Sequence, residues 1–262
     1  MIDKTNPSPD DILRAIQRDD ARRKTGQLTI FFGMSAGVGK TYAMLVNAQQ
    51  LLKAGVDVVI GTVNTHGRAE TEILLAGLKI IPKKWIKYKD AVFEEFDLDT
   101  VLKLKPKVVL IDELAHTNVP GSKHLKRWQD VEELLDAGID VYTTLNVQHV
   151  ESRKDIIEKI TSIIIRETVP DLIFERASTI TLIDIPPSML LQRLREGKVY
   201  LQNQSQLAIE NFFKVDNLTA LREIALRFTA EKVDHDLHGM SISGKSWRTR
   251  ERLMVMINHE SI

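Results

Sequence analysis

Apolar residues along this chain fall into short unbroken runs, separated by longer stretches in which they recur every three or four positions. The runs are Leu28–Phe32, Val56–Val63, Lys107–Ile111, Ile139–Thr144 and Ser178–Ile185, and they are rich in Val, Ile, Thr and Phe. Nearly continuous runs of this length suit strands buried on both faces of a parallel sheet. Helical spacing occupies residues 41–53, stopped by Gly55, then 70–78, 128–137, stopped by Gly138, and 151–165. A short helix is expected over 97–102, ending before Pro106, while 83–96 shows no clear period. Strands alternating with helices predict βαβ units with right-handed crossovers, and so an α/β fold with a mainly parallel sheet flanked by helices.

After Pro187 the texture turns helical, at 189–194, 203–213 and 218–230. These stretches predict a small C-terminal helical region packed on the α/β body. At the other end, Ser8-Pro9-Asp10-Asp11 reads as a helix start, with Ser8 as cap and Pro9 at the first helical position. The expected organisation is a lead-in helix over 1–26, a main domain over 27–234, and a linker with a final strand over 235–262. That strand, Arg252–Ile257, has almost no chain after it and reads as the first strand of a further domain.

Composition narrows the function classes. The chain has 262 residues, 43% hydrophobic and 27% charged, with a formal net charge of zero and no cysteine. Balanced charge gives no reason to expect nucleic acid or an anionic membrane as partner. The absence of cysteine excludes disulfides and zinc–thiolate sites. No apolar run approaches the roughly 18–20 residues of a membrane span, and residues 1–20 lack the apolar core of a signal peptide. A soluble, cytoplasmic chain without a membrane segment is the expectation.

The chemistry concentrates where the first strand gives way to the first helix. Gly33-Met34-Ser35-Ala36-Gly37-Val38-Gly39-Lys40-Thr41-Tyr42 joins them. A strand, a glycine-rich loop and a helix N-terminus in that order form an anion cradle, with backbone N–H groups aimed at phosphates. Lys40 would reach the β- and γ-phosphates and Thr41 would place its hydroxyl on Mg²⁺. The usual pattern puts a glycine at the position of Met34, whereas here it stands one residue earlier, at Gly33. The third strand runs straight into Asp112-Glu113. Lying beside the first strand, it would bring Asp112 to the Mg²⁺ hydration shell, with Glu113 placed to polarise an attacking water. Candidate site residues are therefore Gly33, Ser35, Ala36, Gly37, Val38, Gly39, Lys40, Thr41, Tyr42 and Asp112 for nucleotide, Thr41 and Asp112 for Mg²⁺, and Glu113 for catalysis. The polar end of the fourth strand, Asn146, Gln148 and His149, is a candidate γ-phosphate sensor. His116 and His124 are expected to shape the nucleotide loop. Arg68, Arg127 and Arg153 are the candidates for an arginine on phosphate. His235 and His238 stand three apart without further converging ligands, so no metal beyond Mg²⁺ is expected.

Several blocks carry a family resemblance. They are Gly37-Val-Gly-Lys-Thr41, Thr65-His-Gly-Arg68, Asp112-Glu-Leu-Ala-His-Thr-Asn118 and Lys126-Arg-Trp-Gln-Asp-Val-Glu-Glu-Leu-Leu-Asp136. Asp140–His149, Arg166-Glu-Thr-Val-Pro-Asp171 and Leu191–Tyr200 add to them. Across about residues 10 to 234 the chain resembles the N-terminal cytoplasmic domain of the KdpD sensor histidine kinases of potassium homeostasis. The resemblance implies a P-loop fold that binds ATP and regulates the kinase/phosphatase balance of a histidine-kinase module acting on a KdpE-type response regulator. In typical members a universal-stress-protein-like domain follows, and membrane helices and the kinase core lie outside the stretch matched here. Histidine autophosphorylation is therefore not assigned to this chain. Two functional classes follow, an ATP-binding regulatory domain with slow hydrolysis and a non-catalytic, nucleotide-dependent interaction module acting on a separate kinase.

Overall fold

A computed structural model describes residues 25–197, Val199 and residues 212–240, with side chains through Asp234. The expected helix near Ser8, much of the one over 203–213 and the strand at 252–257 lie outside the described residues. The strands are β1 (Leu28–Gly33), β2 (Val58–Thr62), β3 (Lys79–Ile80), β4 (Lys84–Tyr88), β5 (Ala91–Glu95), β6 (Val108–Ile111), β7 (Asp140–Asn146) and β8 (Thr179–Leu182). The helices are α1 (Lys40–Lys53), α2 (Ala69–Glu72), α3 (Leu98–Leu104), α4 (Arg127–Asp136), α5 (Lys154–Thr161), α6 (Asp171–Arg176), α7 (Pro187–Arg195) and α8 (Val215–Met240). Among the described residues no helix is long and apolar enough to cross a membrane.

Six strands form one parallel sheet in the order β3-β2-β6-β7-β1-β8. The two faces are readable as alternation along each strand. Phe31, Val58, Ile60, Val108 and Leu110 face one way and pack with Met44, Leu45 and Ala48 of α1. Ile30, Phe32, Val59, Val109, Ile111, Val141 and Leu145 face the other and pack with Val131, Leu134 and Leu135 of α4. Burial of such side chains is worth about 2 kcal/mol each, so both faces must be covered, as continuous apolar strands require.

The order of the strands corrects one expectation. β6, which carries Asp112 at its end, does not lie beside β1: β7 is inserted between them, with Ile111 opposite Thr143 and Gly33 opposite Asn146. Strand identity is a local property of sequence, whereas neighbour order is set by crossovers. Asp112 still reaches the first turn of α1 because the sheet's carboxyl ends converge on one edge.

Other departures have local causes. Residues 83–96, without a clear period in sequence, hold the β4–β5 antiparallel hairpin, whose strands bury only Ile86 and Glu95, with Phe96 entering the core just after them. With so little buried surface there is no apolar period to read. The helix expected over 70–78 is a single α-turn followed by a 3₁₀ turn at Ile73–Leu75, and the edge strand β3 follows Gly77. The helix expected to Ile165 stops at Thr161, capped by Ser162 in the left-handed region at φ 57. β8 is shorter than its apolar run. At the far end, α8 continues to Met240, through residues that read as linker. Asp234–Leu237 contains no helix breaker, and polarity alone does not end a helix.

The C-terminal helices belong to the body of the fold. Phe228 of α8 meets Phe174 of α6 edge-on at 4.7 Å, and Phe174 meets Phe32 of β1 at 5.0 Å. Arg222 of α8 forms a two-point ion pair with Asp184 after β8, at 2.7 and 2.6 Å. α8 therefore covers the β1–β8 end of the sheet, within the same core as α4 and α6.

Candidate functional site

At the carboxyl edge of the sheet, where β1 and β7 send their chains to different places, lies a cleft of about 390 Å³. Its floor is the loop between β1 and α1. Gly37 and Gly39 take φ values of 85 and 106, a region closed to ordinary side chains, and a Cβ on Gly37 would also stand 2.6 Å from Val199. The N–H groups of Ser35, Ala36, Gly37 and Gly39 have no partner among the described residues, while the turn at Ala36–Gly37 brings the Val38 N–H to the Ser35 carbonyl. Successive unpaired donors at the start of a fourteen-residue helix make a local positive field.

Lys40 is buried and donates from Nζ to the Ser35 carbonyl at 2.8 Å. Burial pulls its pKa from 10.5 down to about 8, against the pull of Asp112 and Glu113 and with the push of Arg68. Thr41 Oγ1 donates to Asp112 at 3.1 Å from Oδ2. The other carboxylate oxygen accepts from the Thr144 hydroxyl of β7 and, at 3.1 Å, from the Glu113 N–H. Asp112 is thus oriented by three elements and sits at the first turn of α1.

Glu113 follows with a left-handed backbone at φ 58. Its N–H also lies 3.2 Å from Thr144 Oγ1, and its carbonyl accepts from the His116 N–H at 3.0 Å. These bonds hold a conformation that costs a non-glycine residue about 1 kcal/mol or more. Burial, and next the charge of Asp112, push the Glu113 pKa upward.

The expected residues divide into two groups. Ala36, Gly37, Gly39, Lys40, Thr41, Tyr42, Asp112 and Glu113 line the cleft, as do Asn146, Gln148 and His149. Gly33, Ser35 and Val38 do not line it; Gly33 lets the loop fold back, since a Cβ there would stand 2.7 Å from Val38 Cγ2. Met34, the departure from the usual pattern, is 2% exposed and packs in the core with Phe32 and Val38. It therefore leaves the cleft free.

Of the three candidate arginines only Arg68 lines the cleft, with its pKa lowered by burial and by the charge of Arg193. Arg127 is buried beneath the site, donating to the Asp112 carbonyl at 3.1 Å and to Glu95 at 2.8 Å. Arg153 pairs with Glu231 and lies over the Phe228 ring. Glu95 also accepts from the Val119 N–H at 3.0 Å, and His116 Nε2 lies 3.1 Å from it. Burial alone would raise the Glu95 pKa, but the His116 hydrogen bond and the Arg127 charge bring it to about 2. His116 lines the cleft; His124 turns instead to Glu133. Sequence reasoning passed over Glu95, Thr144 and Arg193, each far in sequence from the residue it serves.

Among the described residues no group of three or more His, Cys, Asp or Glu could hold a metal. One carboxylate and one hydroxyl, both oxygen donors, fit Mg²⁺, which is commonly held by one or two carboxylates together with substrate phosphates and water.

Comparison with known proteins gives the family. The family model described as KdpD, osmosensitive K⁺ channel His kinase sensor domain, matches residues 24–233. The chain is 50% identical over 258 residues to the sensor protein KdpD of Escherichia coli strain K12, covering 97% of this chain and 28% of that protein. It is 50% identical over 236 residues to the sensor protein KdpD of Clostridium acetobutylicum, covering 90% and 26%. The sensor protein KdpD of Mycobacterium tuberculosis strain H37Rv is 48% identical over 237 residues, covering 89% and 28%. The chain thus spans little more than a quarter of the length of these relatives.

Proposed function

The chain belongs to the KdpD sensor-domain family, and we propose that it is the ATP-binding regulatory domain of a two-component potassium sensor. The observation that carries this reading is the cradle itself: N–H groups of Ser35, Ala36, Gly37 and Gly39 without a partner among the described residues, around a buried Lys40 and beside a Thr41–Asp112 pair. Such an array favours a polyanion accompanied by a divalent cation. Mg²⁺, when bound, would neutralise charge on the phosphates; Thr41 and Asp112 are the residues to hold it. Lys40 gains a counter-charge in the cradle, and Arg68 offers a second cation at its rim. Glu113, with its raised pKa, is a base able to take a proton from water. As the water oxygen bonds to the terminal phosphorus, the bond to the bridging oxygen breaks, leaving ADP and phosphate. In this reading the occupied domain sets the kinase/phosphatase balance of a histidine-kinase module toward a KdpE-type response regulator.

Calorimetric titration with ATP, ADP and GTP, with and without Mg²⁺, tests the binding. Mg²⁺-dependent binding of ATP is expected; failure of all three nucleotides to bind overturns the proposal. Phosphate release by the purified chain and by Glu113→Gln then separates an ATPase from a non-catalytic module, because only the ATPase reading predicts turnover that the variant loses.

A further inference from the structure

The loop is gripped from behind by one side chain. Arg193, in the last turn of α7, donates from Nη1 to the carbonyls of Gly37 and Val38, both at 3.1 Å. It forms no ion pair with a carboxylate among the described residues. A guanidinium committed to two neutral carbonyls, within electrostatic reach of a second arginine at position 68, is an uncommon use of a cation unless the carbonyls must be held.

Peptide geometry says what holding them does. In a planar trans peptide the C=O and the following N–H point in opposite directions. With the Gly37 and Val38 carbonyls drawn to Arg193, the N–H groups of Val38 and Gly39 point away from it. The Gly39 N–H has no partner among the described residues, and Gly39 caps α1. Both glycines flanking Val38 have open backbone choices, so nothing in their own chemistry selects this orientation. α7 touches the loop elsewhere too: a Cβ on Gly37 would stand 3.0 Å from Leu190 Cδ1.

We propose that Arg193 is a positioning residue that fixes the phosphate loop in its anion-receptive form, so that the C-terminal helical layer sets nucleotide affinity. This rests on the nucleotide reading above. α7 packs on α8, and Arg222 of α8 clamps Asp184 just before α7 begins. Because coupling between sites is reciprocal, whatever displaces α7 weakens nucleotide binding, and bound nucleotide resists that displacement.

The test compares wild type with Arg193→Ala and Arg193→Lys by calorimetry with Mg·ATP, and by ¹⁵N order parameters of the Val38 and Gly39 amides without nucleotide. Both variants are expected to bind at least tenfold more weakly, because a lysine keeps the charge but not the fork. The two amide order parameters should fall from the rigid range, about 0.85, toward the flexible one, below about 0.6. Low-millimolar guanidinium should restore part of the affinity of Arg193→Ala, where sodium chloride at equal ionic strength should not. Wild-type affinity in Arg193→Lys would show that only charge matters and would overturn the positioning role. Unchanged order parameters in Arg193→Ala would overturn it as well, whether or not nucleotide binds. Loss of binding by the wild type itself would instead overturn the nucleotide reading.

Discussion

Replacing Lys40 by methionine should make the nucleotide-free protein more stable while abolishing nucleotide binding. The buried ammonium has its pKa pulled from 10.5 to about 8, chiefly by loss of water. At about 1.4 kcal/mol per pH unit, keeping it charged in the fold at pH 7 costs about 3 kcal/mol. Methionine keeps the apolar stem and removes that penalty, but forfeits the hydrogen bond to the Ser35 carbonyl, worth about 1 kcal/mol. The net gain is about 2 kcal/mol. For a chain of this size it should raise Tm by about 5 °C. The sign with pH is fixed by linkage. The folded pKa lies below the unfolded one, so the penalty is complete below about 8 and disappears as pH rises toward 10.5. The stability gap between Lys40→Met and wild type, from urea melts at pH 7 and pH 10, should therefore shrink with rising pH. Nucleotide should raise the Tm of wild type and leave the variant unmoved. A variant less stable than wild type at pH 7, or a gap indifferent to pH, would refute the claim that Lys40 is a cation held in waiting for an anion.

The same linkage predicts proton uptake when Mg·ATP binds wild type near pH 8, because a bound anion raises the Lys40 pKa; calorimetry in buffers of different ionisation enthalpy would detect it, and affinity should fall above that pH. Glu95→Ala leaves Arg127 buried without its carboxylate and should cost about 3–5 kcal/mol in denaturant melts. With the folded pKa of Glu95 near 2 and the ordinary value at 4.5, its stabilisation is present above about 4.5 and lost as pH falls toward 2. Thr144→Val removes the hydroxyl that holds Asp112 from β7; Mg²⁺-dependent ATP affinity should fall about tenfold with little change in Tm, as calorimetry and thermal melts would show. Phe228→Ala opens the aromatic stack under α8 and should cost about 3–5 kcal/mol; a loss below about 1 kcal/mol would contradict α8 as part of the core.

What the sequence disclosed and what it withheld divide along the range of the forces involved. β1, the glycine-rich loop and α1 are contiguous, so glycine placement and an apolar period suffice to locate them. β1, β2, β6 and β7 were legible because burial on both faces leaves continuous apolar runs. Their order was not, because nothing within β6 or β7 records which of them meets β1. Residues 83–96 stayed unread because the hairpin they form buries little on either face. Met34 stands where the usual pattern has a glycine; packed in the core, its side chain leaves the backbone path of the loop unobstructed.

The arginines carry the same lesson into the site. Three were candidates for contact with phosphate, and the fold uses them for three different purposes: Arg68 at the cleft, Arg127 beneath Asp112, Arg153 against α8. The arginine that grips the loop comes from more than 150 positions away. Its partners are carbonyls, which every residue possesses and no sequence pattern marks. A glycine-rich loop between a strand and a helix can thus be picked out from the chain alone, but what holds that loop cannot. Under the positioning role proposed for Arg193, a distant helix decides which way two peptide planes face, and the handle for regulation would lie on α7 and α8 rather than in the cleft.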